Sequence, residues 1–175
     1  LNSNHLGCYE YGVENDECLV HCINTAECSG IIPENIGVLT NIDTLWLNDN
    51  NLFGDIPPSI TSLTNLQHLK LEENNLIGSI PYNIGDLDSL SYLYLDNNDL
   101  EGEIPASIEN LTNLKKLYLY NNNLSGLIPE NICNIYTINF QHLYLHNNEL
   151  CPSPTGYPEC IPENHLGPQD TSNCP

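Results

Sequence analysis

Leucine and isoleucine return in a fixed order along most of the chain. NIDTLWLNDNNLFGDIP spans 41–57, NLQHLKLEENNLIGSIP spans 65–81, SLSYLYLDNNDLEGEIP spans 89–105 and NLKKLYLYNNNLSGLIP spans 113–129, a period of 24. A fifth copy, NFQHLYLHNNELCPSP over 139–154, arrives two residues late, after NICNIYTI, and lacks the Gly-x-Ile-Pro tail. Upstream, Cys28, Gly30, Ile32 and Pro33 fit the tail of a degenerate copy. Apolar and polar residues alternate with period two at the centre of each copy, as in LYLY at 117–120, which predicts a short β-strand with its leucines on one face.

One winding cannot bury its own apolar set. In the second copy Leu66, Leu69, Leu71, Leu76, Ile80, Ile84 and Leu87 all have reason to point inward, and only neighbouring windings can cover them. Full burial of each is worth ~1.5–3 kcal/mol, most of it cancelled by chain entropy. Asn50, Asn74, Asn98, Asn122 and Asn148 form a column where the chain leaves the strand, and their amides are expected to satisfy the backbone of that turn. Gly54, Gly78, Gly102 and Gly126 are expected where other residues are strained. Pro57, Pro81, Pro105 and Pro129 turn the chain into short helical turns on the far side.

Leu-x-x-Leu-x-Leu-x-x-Asn-x-Leu at this period is the leucine-rich-repeat signature. Its Leu-x-Gly-x-Ile-Pro continuation resembles the plant-specific subtype of polygalacturonase-inhibiting proteins and receptor-kinase ectodomains, over roughly residues 28–152, with atypical cysteine-rich ends. The resemblance implies an α/β solenoid: a right-handed superhelix with a parallel β-sheet on its concave face, short helical turns on its convex face and disulfide-stapled caps. A single domain is expected, with an N-terminal cap over 1–29, repeats over 30–150 and a C-terminal cap over 151–175. The family's usual ligands are proteins, peptides and cell-wall-related enzymes.

The cysteines segregate. Cys8, Cys18, Cys22 and Cys28 lie at one end, Cys133, Cys151, Cys160 and Cys174 at the other, and none lies between. Pairing within each end, in any of three ways, is expected to close the open ends of a solenoid, and an oxidising compartment, secreted or at the cell surface, follows. Paired Cys-x-x-Cys knuckles with interleaved histidine are lacking, which disfavours zinc. No stretch has the order of a secretion signal, so a mature or trimmed product is expected. No apolar run approaches the ~18 residues of a membrane span.

The chain carries 23 acidic residues, three lysines and no arginine, a net charge of −20. Nucleic acid and direct membrane insertion are therefore poor expectations. Catalytic signatures are missing: no Gly-x-Ser-x-Gly elbow, no His-Glu-x-x-His, no phosphate loop and no dinucleotide fingerprint. No enzyme activity, cofactor or metal site is expected. Thr40, Thr64 and Thr112 form a partial file, but Asp88 interrupts the regular array an ice-binding face needs.

Strand residues between the leucines point out of the concave sheet, in files ~4.8 Å apart. The first file holds Thr44, His68, Tyr92, Lys116 and His142; the second Trp46, Lys70, Tyr94, Tyr118 and Tyr144; the third Asn48, Glu72, Asp96, Tyr120 and His146. Just past the strand stand Asp49, Glu73, Asn97, Asn121 and Asn147. The only tryptophan, five of the ten tyrosines and three of the six histidines fall here, which marks a recognition surface richer in rings than sheet packing requires. Candidate ligand-binding residues are Trp46, His68, Lys70, Glu72, Tyr92, Tyr94, Asp96, Lys116, Tyr118, Tyr120, His142, Tyr144 and His146. Truncating Tyr118 and Tyr144 is expected to weaken binding and leave thermal stability nearly unchanged. An extracellular protein, peptide or glycan is the expected partner; the alternative is a cell-surface or extracellular structural or assembly protein without a private small ligand. Asn110 and Asn123 head Asn-x-Ser/Thr acceptors for N-glycans.

Overall fold

The computed structural model describes residues 20–21, 29–139 and 142–174. Cys8, Cys18, Cys22 and Cys28, and with them the expected N-terminal staple, lie outside the described residues. Five short strands build one parallel sheet: β1 (Thr44–Trp46), β2 (His68–Lys70), β3 (Tyr92–Tyr94), β4 (Lys116–Tyr118) and β5 (His142–Tyr144). They lie in chain order across the sheet, each beside its neighbour in sequence. Register pairs Thr44 with His68, His68 with Tyr92, Tyr92 with Lys116 and Lys116 with His142, so the files read from the period are the files of the sheet.

The leucines stack beneath. Leu69, Leu93, Leu117 and Leu143 are fully buried, as are Leu66, Leu71, Leu76 and Leu87 from the second winding, in one continuous core. The asparagine column holds the turns as expected. Asn98 Nδ2 donates to the Leu71, Leu95 and Asp96 carbonyls at 3.0, 3.2 and 3.3 Å, while its Oδ1 accepts from the Leu76 amide at 3.0 Å. Asn74, Asn98, Asn122 and Asn148 thus each tie their own winding to the preceding one.

On the convex side 3-10 turns run over Ile36–Val38, Pro58–Ser62, Ile84–Asp86 and Ala106–Asn110. In the next winding an α-helix, α1 (Ile132–Asn139), takes their place and accommodates the two extra residues of NICNIYTI. A second set of parallel ladders, not anticipated from the sequence, runs beside the first: Asn51–Asp55 pairs with Ser29–Gly30 and Asn75–Ile77, and Asn123–Leu127 with Glu101–Gly102 and Glu149–Cys151. Leu-x-Gly reads as a turn because Gly54, Gly78, Gly102 and Gly126 have φ of 78°, 70°, 77° and 75°, yet the residues around them extend and pair.

At the C-terminal end Cys133 pairs with Cys160 and Cys151 with Cys174. The first disulfide fastens α1 to the closing segment. A short helix, α2 (Glu163–Leu166), then runs along the outer edge of β5. There the Leu145 amide donates to the His165 carbonyl at 3.0 Å and the Asn147 amide to the Pro168 carbonyl at 2.7 Å. Within the repeats, Leu119 donates to Tyr144 and Asn121 to His146 in the same manner. The cap therefore closes the edge as a degenerate sixth winding, which answers the exposed-edge hazard of an open sheet. Among the described residues no helix is long and apolar enough to cross a membrane.

Candidate functional site

The concave wall carries its rings in contact. His68 stacks on Tyr92 with centroids 4.6 Å apart, Tyr94 meets Tyr118 edge-on at 4.7 Å, Tyr118 meets Tyr144 at 5.0 Å and Tyr120 stacks on His146 at 4.6 Å. Tyr92 to Tyr94 at 6.4 Å and His142 to Tyr144 at 5.9 Å join the files sideways. The strand pleat forces this arrangement, since every second side chain leaves the same face and successive windings repeat it. All these rings are half-buried: they shield one another and still present faces to solvent.

A ring that the sequence reading missed extends the middle file. His165, in α2, lies 5.5 Å from Tyr144, edge to face. The signal was present in ENHLGPQD, where a buried leucine, Leu166, precedes an amide residue by three positions as Leu145 precedes Asn148.

All three lysines of the chain sit over rings of this wall. Lys70 Nζ is 4.9 Å from the Trp46 ring centre and 5.3 Å from that of Tyr94; Lys115 and Lys116 are each 6.0 Å from Tyr92. Lys70 is thus clasped between two π-faces. Lys115 lies outside the files and was not among the expected residues.

Acidic residues gather toward β1 and β2. Asp49 and Glu73, with Asn97, Asn121 and Asn147, occupy left-handed backbone positions at φ of 52–62°. Asparagine and aspartate tolerate that region best, so this file is a turn requirement before it is a recognition feature. Its amides form a ladder: Asn147 Nδ2 donates to Asn121 Oδ1 and Asn121 Nδ2 to Asn97 Oδ1, both at 2.6 Å, and Asn97 Nδ2 reaches Asp96 Oδ2 at 2.8 Å. Glu73 shares a hydrogen bond with Asp49, which together with their repulsion raises the Glu73 pKa.

Asp96 is only 3% exposed, unlike the other candidate side chains. Burial raises its pKa, against hydrogen bonds from Tyr120 and Asn97 and the attraction of His146. Glu72, one winding earlier in the same file, is pushed up to about 7 by burial, against its own amide and Lys70 and with the help of Asp96. Tyr94 and Tyr120 are raised to about 12, burial again the largest cause, so these phenols remain neutral hydrogen-bond donors at any physiological pH. Among the described residues no group of three or more His, Cys, Asp or Glu is placed to hold a metal ion.

Comparison with known proteins matches the family described as Leucine rich repeat to residues 40–100, and Leucine Rich Repeat again to 113–135. No curated protein matches the sequence. Among solved structures the chain is similar to a plant peptide hormone receptor, RGFR1, in complex with RGF2: 37% identity, TM-score 0.69, covering 71% of this chain and 20% of that one. It is similar to the BIR3–SERK2 complex from Arabidopsis thaliana: 34% identity, TM-score 0.63, covering 77% of this chain and 70% of that one. A plant ice-binding protein is 33% identical with TM-score 0.64, over 79% of this chain and 49% of that one. The chain therefore spans about a fifth of the hormone receptor it matches. Repeat period, register, asparagine column and these matches agree: the chain belongs to the leucine-rich-repeat family, in its plant-type subtype.

Proposed function

We propose that the protein is an extracellular, non-enzymatic recognition module that binds an extended peptide along its concave wall. The observation that carries the reading is the run of contacting, half-buried rings from His68 through Tyr92, Tyr94, Tyr118 and Tyr144 to His165. Rings already packed against their neighbours lose little entropy when a ligand covers their free faces, and their polar ends donate to a ligand backbone. The wall is open and shallow, and it excludes water too poorly for demanding chemistry, which supports binding over catalysis. Similarity to a receptor in complex with a peptide hormone favours peptide over glycan. Two disulfides suit an oxidising, secreted or cell-surface setting. Asn110 and Asn123 are exposed and accept N-glycans in a glycosylating host.

The test is selection of peptides from a random display library on the purified chain. Selected peptides are expected to lose at least about tenfold in affinity on Tyr118→Ala with Tyr144→Ala, as removal of central aromatic anchors does. Peptides indifferent to that change would remove the proposed site.

The likeness to a plant ice-binding protein supports a second reading. Thr40, Thr64 and Thr112 are exposed, one per winding, but Asp88 stands in the file between Thr64 and Thr112. Thermal hysteresis of the purified chain decides it: none is expected.

A further inference from the structure

We propose that Glu72 and Asp96 form an acceptor for a cationic side chain, a guanidinium or ammonium group carried by a peptide that lies along the concave wall. This inference rests on the peptide-recognition reading and adds the chemistry of the ligand.

The two carboxylates are neighbours in the third file, just past β2 and β3. The Glu73 amide donates to the Asp96 carbonyl at 3.1 Å, so the two turns are in direct register. Asp96 interacts with Tyr120 and has its Oδ2 held by Asn97 Nδ2, while its Oδ1 is buried with no hydrogen-bond partner among the described residues. Glu72 Oε2 is buried and unpartnered as well. A buried carboxylate oxygen without a donor is costly, and the cost is recovered when a donor arrives.

Lys70 and His146 attract the pair through space, but among the described residues neither is hydrogen-bonded to the two buried oxygens. The chain has no arginine, Lys115 and Lys116 lie over Tyr92, and Lys70 is clasped by Trp46 and Tyr94. Lys70 nevertheless demonstrates that this part of the wall accommodates a cation between rings. Asp49 and Glu73 stand beside the pair and deepen the negative potential that draws a positive ligand group inward.

A metal ion fits less well, since among the described residues no cluster has a metal's ligand set. Carboxylates on adjacent windings, spaced like strands ~4.8 Å apart, suit the wider fork of a guanidinium, which offers several N–H donors in one plane. Tyr120, which hydrogen-bonds Asp96, and Lys70, beside Glu72, are the side chains that turn aside to admit it.

The experiment titrates the intact chain with N-acetyl-argininamide and with its neutral isostere N-acetyl-citrullinamide, at low salt and about one pH unit above the raised Glu72 value of about 7, where Glu72 is largely ionised. The side-chain carboxyl carbons are followed by NMR. The arginine probe is expected to shift the Glu72 and Asp96 signals saturably and to bind at least about fivefold tighter than the citrulline probe. Glu72→Gln with Asp96→Asn is expected to abolish the difference, and Glu101→Gln with Glu103→Gln, on the lateral ladder and just past it, to preserve it. If the first pair unfolds the chain, Glu72→Gln alone carries the test, with the same loss expected. Equal binding of the two probes, or carboxyl signals that move with pH and ignore the arginine probe, would overturn the proposal. Display-selected peptides that bind the wall without enrichment in arginine or lysine would also overturn it, leaving peptide recognition intact. Arginine-probe binding at this pair with no peptide selected would keep the acceptor and remove the peptide.

Discussion

Gln169 stands to Leu145 as Asn148 stands to Leu119. Gln169 Nε2 donates to the Leu145 carbonyl at 2.9 Å, and Asn148 Nδ2 donates to the Leu119 carbonyl at 2.9 Å. Gln169 Oε1 accepts from the Leu150 amide at 3.3 Å, as Asn148 Oδ1 accepts from the Leu124 amide at 3.0 Å. The last residue of the column is therefore a glutamine, outside the repeat and supplied by the cap. Gln169→Ala is expected to strip the Leu150 amide and the Leu166 carbonyl of this partner, while the Leu145 carbonyl keeps its bond from Asn148, and to cost about 1–3 kcal/mol. Chemical denaturation measures the loss. Amide exchange is expected to accelerate first at the β5 edge, because the cap comes away before the inner windings open.

That residue also marks the limit of what the sequence discloses. The column at Asn50, Asn74, Asn98, Asn122 and Asn148 is legible because one residue type recurs at one spacing. Gln169 plays the same part in a segment with altered spacing and with a longer side chain, so periodicity does not reveal it. The concave files were legible for a similar reason: strand period and repeat period together place each side chain. Burial within a file was not. Asp96 and Glu72 occupy equivalent positions, yet Asp96 is the more deeply covered because Tyr120 stands on the next winding where Glu72 has Asp96. Such a difference depends on the neighbour's volume, which no single copy encodes. The lateral ladders were hidden by glycine, which marks a turn locally and here permits a bent strand.

Columns are not uniform in strength. Asn98 fills both its amide and its carbonyl, whereas among the described residues Asn50 donates to the Leu47 and Asn48 carbonyls and its buried Oδ1 has no partner. Asn98→Ala is expected to cost about 2–4 kcal/mol, several lost bonds with backbone groups stranded, and Asn50→Ala about half that or less. Urea unfolding of the two variants under the same conditions checks the order. Equal losses would mean that the turn, and not its hydrogen bonds to the adjoining winding, sets the stability.

Stability should fall as pH rises through the window between the ordinary glutamate value and the raised value of Glu72. Burial gives Glu72 a folded pKa of about 7 against 4.5 for the free group, so between these values the folded chain binds more protons than the unfolded one. Protonation then favours the fold: the chain is most stable below the window and bears the full burden of the ionised carboxylate above it. Asp96 is raised too and acts in the same direction. The groups that face the pair are Lys70 from β2, Tyr94 from β3, Tyr118 from β4, Glu73 and Tyr120 from the adjoining turns and His146 from the last winding. Denaturation midpoints at about pH 5 and about pH 8 are expected to differ less in Glu72→Gln than in the unaltered chain. The general self-repulsion of an acidic chain acts on both proteins alike, so the difference between them isolates Glu72.

Ring contacts alter the expectation for Tyr118 and Tyr144. Read as free recognition groups, they leave thermal stability nearly unchanged when truncated. In the fold, Tyr118 contacts Tyr94 and Tyr144 at 4.7 and 5.0 Å, and Tyr144 contacts Tyr120 and His165 at 6.5 and 5.5 Å. Aromatic pairs are worth about 0.5–1.5 kcal/mol each beyond their buried area, and weakly held or distant pairs sit at the low end. The double variant Tyr118→Ala with Tyr144→Ala is therefore expected to lose about 1–3 kcal/mol and to melt several degrees lower, while it still folds cooperatively on the leucine core beneath. Single variants separate the two contributions. Because Tyr118 and Tyr144 share a contact, their individual losses are expected to exceed the double loss when summed. Strict additivity would show that the rings do not support one another, and would make the wall a set of independent groups in place of a pre-ordered surface.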